Sequence, residues 1–149
     1  MTPPALDLEV VHAKLHALGE LLDDLDALPS LDRAVLERDR LLRHAVERVL
    51  TQVVELAAGI NNHLVAARLG KGALGYRESF LLAADAGALP ADLAARLAPS
   101  AGLRNVLVHQ YAEIDLDQVV AAVGRARTDF RAYVRAIADG LAGEGLRPR

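Results

Sequence analysis

Between Leu8 and Leu25 the apolar residues Leu8, Val11, Leu15, Leu18, Leu22 and Leu25 recur at steps of three and four. That spacing predicts a helix with one apolar stripe. "ALPSLD" breaks the pattern at Pro29, and Ser30 or Asp32 can cap the next element. A long second segment, about 32–69, keeps helical spacing through Val35, Leu36, Leu42, Val46, Val49, Val53, Leu56, Ile60 and Leu64. "GKGALGY" ends it. A short helix over roughly 77–87 stops at Gly87. Pro90 and Asp92 suit the first turn of another, running towards His109 with a kink near Pro99 and Gly102. Asp115 with Gln118 has the spacing of a capping box before a last helix over about 116–140, whose apolar positions include Val119, Val120, Val123, Phe130 and Val134. Gly140, Gly143 and Gly145 then release a flexible, basic tail over 141–149. The expected fold is all-α: an up-and-down bundle of about five helices, in one domain spanning 1–149 with its core at about 8–140.

Composition sharpens this picture in two places. Hydrophobic residues make up 52% of the 149, but aromatics only 3%, so the core must be built of Leu, Val and Ala. Without cysteine, neither a disulfide framework nor a thiolate metal site can form. Charges interrupt every apolar run near the start, so no signal peptide is expected. No run approaches the roughly 20 residues of a membrane span. A cytoplasmic protein is the expectation.

A net charge of −3 argues mildly against nucleic-acid binding, yet the cations are uneven. Arg33, Arg38, Arg40, Arg43 and Arg48 cluster in one segment, and Arg125, Arg127, Arg131 and Arg135 in another. Arginine suits phosphate through its planar donor fork, although such runs are ordinarily a solvated helix face. Gly70, Gly72 and Gly75 spell G-x-G-x-x-G. A dinucleotide fingerprint needs a strand before it, and here a long helical pattern precedes it. A helix stop is therefore the expected role.

Chemistry concentrates in "GLRNVLVHQY", residues 102–111, where Arg104, Asn105, His109 and Tyr111 are interleaved with Val106, Leu107 and Val108. Asn105 and His109 are four apart and share a helix face. Arg104 lies about 140° round from His109, within reach of the same mouth through its long side chain. Leu103, Val106 and Leu107 can anchor the other side. An imidazole titrates near pH 6.5 and can give or take a proton. A guanidinium can hold a phosphate and offset growing negative charge, and an amide can orient an oxygen. With no carboxylate or cysteine in the run, no catalytic metal and no cofactor is expected. On the residues alone, a hydrogen-bonded packing or dimer contact competes with a site.

The same stretch, extended to "GLRNVLVHQYAEIDLDQV", resembles the signature of the HEPN superfamily and specifically the HepT-like toxins, with an Arg-x4-His-x-Tyr motif filled by Arg104, His109 and Tyr111. Asn105 matches the polar residue that commonly follows the arginine. "RDRLLRHAVERVLTQVVELAAGINNHLVAARLG" resembles that family's long helix, and "YRESFLLAADAGALPADLAARLAPSAGLRN" its following segments, so the likeness covers about residues 8–137. The resemblance implies an all-helical homodimer acting as a metal-independent endoribonuclease toxin, with a composite site where two Arg-x4-His motifs meet. It implies a minimal nucleotidyltransferase (MNT) antitoxin as partner, able to silence the toxin by transferring AMP to Tyr111. The rival reading is a non-catalytic nucleotide- or partner-binding accessory domain of a nucleotidyltransferase.

Other polar residues invite weaker readings. His12 and His16 form an i,i+4 pair without a nearby third ligand, so a surface pair is expected. Asn61, Asn62 and His63 either form a polar seam against the 104–109 helix or face water. Arg40 and Arg43 either reach RNA or an acidic partner, or sit on a solvated face with Asp39 and Glu47. Tyr76 and Phe80 are expected as core or interface anchors rather than base-stacking platforms.

Overall fold

Each early helix is opened by an aspartate whose side chain accepts an N–H that the helix itself cannot satisfy. Asp7 accepts from Val10 N at 3.2 Å and opens α1, Leu8–Asp26. Asp32 accepts from Val35 N at 2.8 Å and opens α2, Arg33–Arg38. Asp39 accepts from Leu42 N at 3.0 Å and opens α3, Arg40–Leu69. The computed structural model describes residues 5–72, 74–109 and 113–145. In it, α1 buries Val11, Leu15, Leu18, Leu22 and Leu25, the stripe expected from their spacing, and packs along α3.

Asp39 divides the long helix expected over 32–69. Its backbone is extended at φ −111°, ψ 90°. An aspartate can bond its own downstream N–H groups in place of continuing a helix, and Asp39 does so. The break lets α2 turn to a helix late in the chain, α7 (Leu116–Arg125), where Arg33 reaches Asp117 at 3.1 Å while Leu36 is buried. At the other end Gly70 adopts φ 66°, a left-handed conformation glycine takes without penalty, and stops α3. The first glycine of the G-x-G-x-x-G run is thus a helix stop, and the described residues contain no strand before it.

After α4, Tyr76–Asp85, the chain turns at Gly87. The helix expected from Pro90 to His109 is two helices, α5, Ala91–Leu97, and α6, Ser100–His109. The kink becomes a break because Pro99 has no N–H to donate. At the break Ser100 Oγ donates to the Leu97 carbonyl at 2.6 Å. Gly102 stays inside α6.

Asp115 caps α7, Leu116–Arg125, through Asp117 N at 3.0 Å rather than through the Gln118 N–H of a capping box. The expected single last helix is interrupted by one wide π turn, Ala126–Phe130, and continues as α8, Arg131–Gly145. Gly140 and Gly143 lie within α8, with Leu141 buried between them, so the helix passes the expected end at 140. Residues 146–149 of the expected tail lie outside the described residues.

Three of the five aromatic residues meet in the core. Phe80, Phe130 and Tyr133 stand edge to face, with centroids 6.1–6.2 Å apart. The π turn sets Phe130 and Tyr133 on the inward side, against Phe80 of α4. The rest of the core is aliphatic, as composition required. The architecture is all-α.

Candidate functional site

Helix α6 starts beside the start of α4, where Ala101, Gly102 and Asn105 share a surface groove with Tyr76 and Leu81. Further along α6, Arg104 reaches Glu55, and Leu107 lines the same cavity as Leu50 and Val53. Helix α6 therefore runs antiparallel to α3. Leu103 and Leu107 pack against the core while Asn105 and His109 are exposed.

Arg104 turns towards α3 rather than along α6 to His109. Its Nη2 and Nε donate to the same Glu55 Oε1 at 2.8 and 3.3 Å, and Nη1 donates to Asn105 Oδ1 at 3.3 Å. The guanidinium carbon lies 4.5 Å from the centroid of the Tyr76 ring, within cation–π range. The Arg104 side chain is only 15% exposed, so its orientation is set by these partners and not by water. A guanidinium has five N–H groups. Three are engaged here, leaving two, one on each Nη nitrogen, for an incoming anion.

Tyr76 is held by a buried polar chain. Ser79 Oγ donates to the Tyr76 carbonyl at 2.7 Å and accepts from Asn61 Nδ2 at 3.2 Å. Asn61 Oδ1 in turn accepts from the Tyr133 hydroxyl at 2.7 Å; that hydroxyl also faces the Ala57 carbonyl at 3.0 Å. Asn61, Ser79 and Tyr133 are all fully buried. Burial pushes the Tyr133 phenol well above its ordinary pKa, so it remains a donor. This chain ties α3, α4 and α8 together under the ring that supports Arg104. The polar seam weighed for Asn61 thus faces α4 and α8 rather than α6, and Asn62 Oδ1 accepts from Leu74 N at 3.3 Å.

A cavity of about 310 Å³ lies behind α6, walled by Val53, Val54, Leu103, Leu107 and Phe130, with Arg96, Arg104 and Arg125 at its edge. Tyr111 lies outside the described residues.

Several other polar residues have structural partners. Arg131 bonds Asp23 and Asp26, each at 2.7 Å, and Arg127 bonds the Leu25 carbonyl, so this part of the second arginine cluster clasps the end of α1. Arg96 joins Asp92 at 2.9 Å and Asp129 at 3.4 Å. His16 pairs with Glu20 at 2.7 Å. Among the described residues no group of three His, Asp or Glu side chains is placed to hold a metal. Phe80 is core as expected, whereas Tyr76 is half-buried and serves as the platform for Arg104. Reading the sequence missed Glu55 and Tyr76 as partners of Arg104. The available signal was a lone carboxylate inside the apolar run "VVELAAG".

A family model described as ribonuclease HepT-like matches residues 18–137. The chain belongs to the ribonuclease HepT-like family. A tRNA nuclease HepT of Aphanizomenon flos-aquae is 34% identical over 131 residues, covering 86% of this chain and 87% of that protein. An mRNA nuclease HepT of Shewanella oneidensis is 30% identical over 106 residues, covering 71% and 80%. The fold superposes on a tri-AMPylated Shewanella oneidensis HEPN toxin in complex with MNT antitoxin, with a TM-score of 0.78 and 25% identity over 89% of this chain and 99% of that one.

Proposed function

We propose that this protein is a metal-independent endoribonuclease toxin in which Arg104 and His109 are the catalytic residues and Asn105 supports them. The reading rests on one observation. Arg104 is clamped between Glu55, Asn105 and the Tyr76 ring with two N–H groups to spare, on the helix that ends at exposed His109. A fixed, partly engaged guanidinium is what an anionic transition state needs, because no reorganisation remains to be done when charge develops.

In this scheme the neutral imidazole of one His109 removes the proton of an RNA 2′-hydroxyl. The 2′-oxygen attacks the adjacent phosphorus, and Arg104 neutralises the charge on the non-bridging oxygens. The P–O5′ bond breaks, and the 5′-oxygen takes a proton from the His109 of a second copy. The products are a 2′,3′-cyclic phosphate and a 5′-hydroxyl. Because one chain carries one such histidine, the active species is a homodimer. The nucleophile is the substrate's own hydroxyl, so the scheme calls for no metal.

The partner is an MNT-type nucleotidyltransferase antitoxin, in line with the Shewanella complex. Control works through Tyr111, whose phenol oxygen attacks the α-phosphorus of ATP and displaces pyrophosphate. The resulting phosphodiester lies two residues from His109 and competes with RNA for the Arg104 guanidinium.

The test is cleavage of total RNA in EDTA by wild type and by His109→Ala. Wild type should cut and leave cyclic phosphate ends, while the variant should be slower by on the order of 10²–10⁴-fold. Activity lost in EDTA and restored by Mg²⁺ would overturn the mechanism.

A further inference from the structure

The net negative charge leaves open how an RNA strand is drawn to Arg104. On α2 and the first half of α3 every carboxylate is already engaged. Glu37 is bonded by Arg33 at 2.9 Å, and Asp39 caps α3 through Leu42 N. Glu47 faces Arg43 at 3.7 Å, and one turn beyond Gln52, Glu55 holds Arg104. Arg40, His44 and Arg48 are exposed and have no such partner among the described residues.

These three are spaced i, i+4, i+8, so each lies about 6 Å further along the axis than the last. Each step turns the position by about 40°, and Glu55, seven residues past Arg48, falls back to within about 20° of it. The stripe therefore runs along one side of α3 directly into the carboxylate that carries Arg104. Since α6 is antiparallel to α3, His109 comes down from Arg104 towards the Arg48 turn. Leu41, 80% exposed, sits beside the stripe as an apolar contact.

We infer that Arg40, His44 and Arg48 form a backbone track for single-stranded RNA, leading the strand into the Arg104–His109 site. A line of unpaired side-chain donors, two of them guanidinium cations, at a spacing comparable to that of successive phosphates follows a strand without reading its sequence. The inference rests on the proposed ribonuclease reading. An acidic protein surface is the competing occupant, and RNA is favoured because the stripe is continuous with Arg104 rather than isolated from it.

The experiment compares wild type with Arg40→Gln/Arg48→Gln, both substitutions being on exposed side chains. Substrates are a long single-stranded RNA and a dinucleotide too short to leave the Arg104–His109 site. The track predicts a KM for the long RNA raised on the order of tenfold, with kcat and dinucleotide cleavage within about twofold of wild type. The slope of log affinity against log salt should fall by about 1.4, two phosphates at about 0.7 each for a single strand. Arg135→Gln, which removes one exposed charge from α8, should leave the KM unchanged, whereas Arg48→Gln should not. If wild type cleaves RNA but the double variant keeps its KM and salt slope, the track is wrong and the enzyme reading stands. If wild type neither cuts nor binds RNA, both fail. A double variant that cleaves like wild type yet no longer binds the nucleotidyltransferase assigns the stripe to the protein partner and overturns the inference.

Discussion

Replacing Glu55 by alanine would free the guanidinium that the site depends on. Arg104 would lose the 2.8 and 3.3 Å bonds and keep only Asn105 and the Tyr76 ring. Hydrogen bonds to charged groups contribute about 1.5–3 kcal/mol each when sheltered. Here the pair is partly solvated, with Glu55 36% and Arg104 15% exposed, which discounts the pair to about 1–2 kcal/mol in all. If that energy holds the fork in its working orientation, kcat/KM should fall about 5–30-fold. An opposing effect exists, because the carboxylate also competes with phosphate for the same cation. Orientation should win, since Glu55 occupies the Nε–Nη2 edge and leaves an N–H on each Nη nitrogen. Glu55→Gln keeps an acceptor oxygen without the charge and should lose only about threefold, roughly half the bond strength. The assay is initial-rate cleavage of a defined RNA in EDTA, run also in an Arg104→Ala background. There Glu55→Ala should add nothing, because its effect passes through Arg104. A Glu55→Ala enzyme as fast as wild type, or an equal loss in both backgrounds, would refute the reasoning.

Three further outcomes concern the buried chain and Tyr111. Tyr133→Phe leaves Asn61 Oδ1 without its donor in a fully buried site, which should cost about 1–3 kcal/mol and lower Tm by on the order of 3–10 °C; an unchanged Tm by scanning calorimetry would show the bond to be dispensable. Because the folded-state phenol titrates well above its ordinary value, the wild type should keep this contribution below about pH 10 and lose it as pH rises towards the folded value, a dependence that Tyr133→Phe should weaken. Tyr111→Phe should cleave RNA normally but gain no AMP when incubated with the nucleotidyltransferase, ATP and Mg²⁺; AMP on the phenylalanine variant by intact mass would place the modification elsewhere.

What could be read from the chain alone was local. The five buried positions of α1 were legible because helical periodicity brings residues three and four apart onto one face without help from elsewhere. Asp32, one of two candidate caps, and Gly70 mark a start and a stop because capping uses atoms within a few residues. The motif helix was legible too, since Arg104, Asn105 and His109 lie within six positions. Tertiary structure decided everything that joined distant segments. Asp39 could have continued a helix, and the break became useful only because α2 had α7 to reach. The π turn has no local spelling; it sets Phe130 and Tyr133 against Phe80. Above all, Glu55 is 49 residues from Arg104, and Tyr133 is 72 from Asn61. No periodicity relates such pairs. Their meeting depends on α6 lying antiparallel along α3 and α4 closing over its end, because the buried surface of those helices, rather than any local preference, sets how they pack.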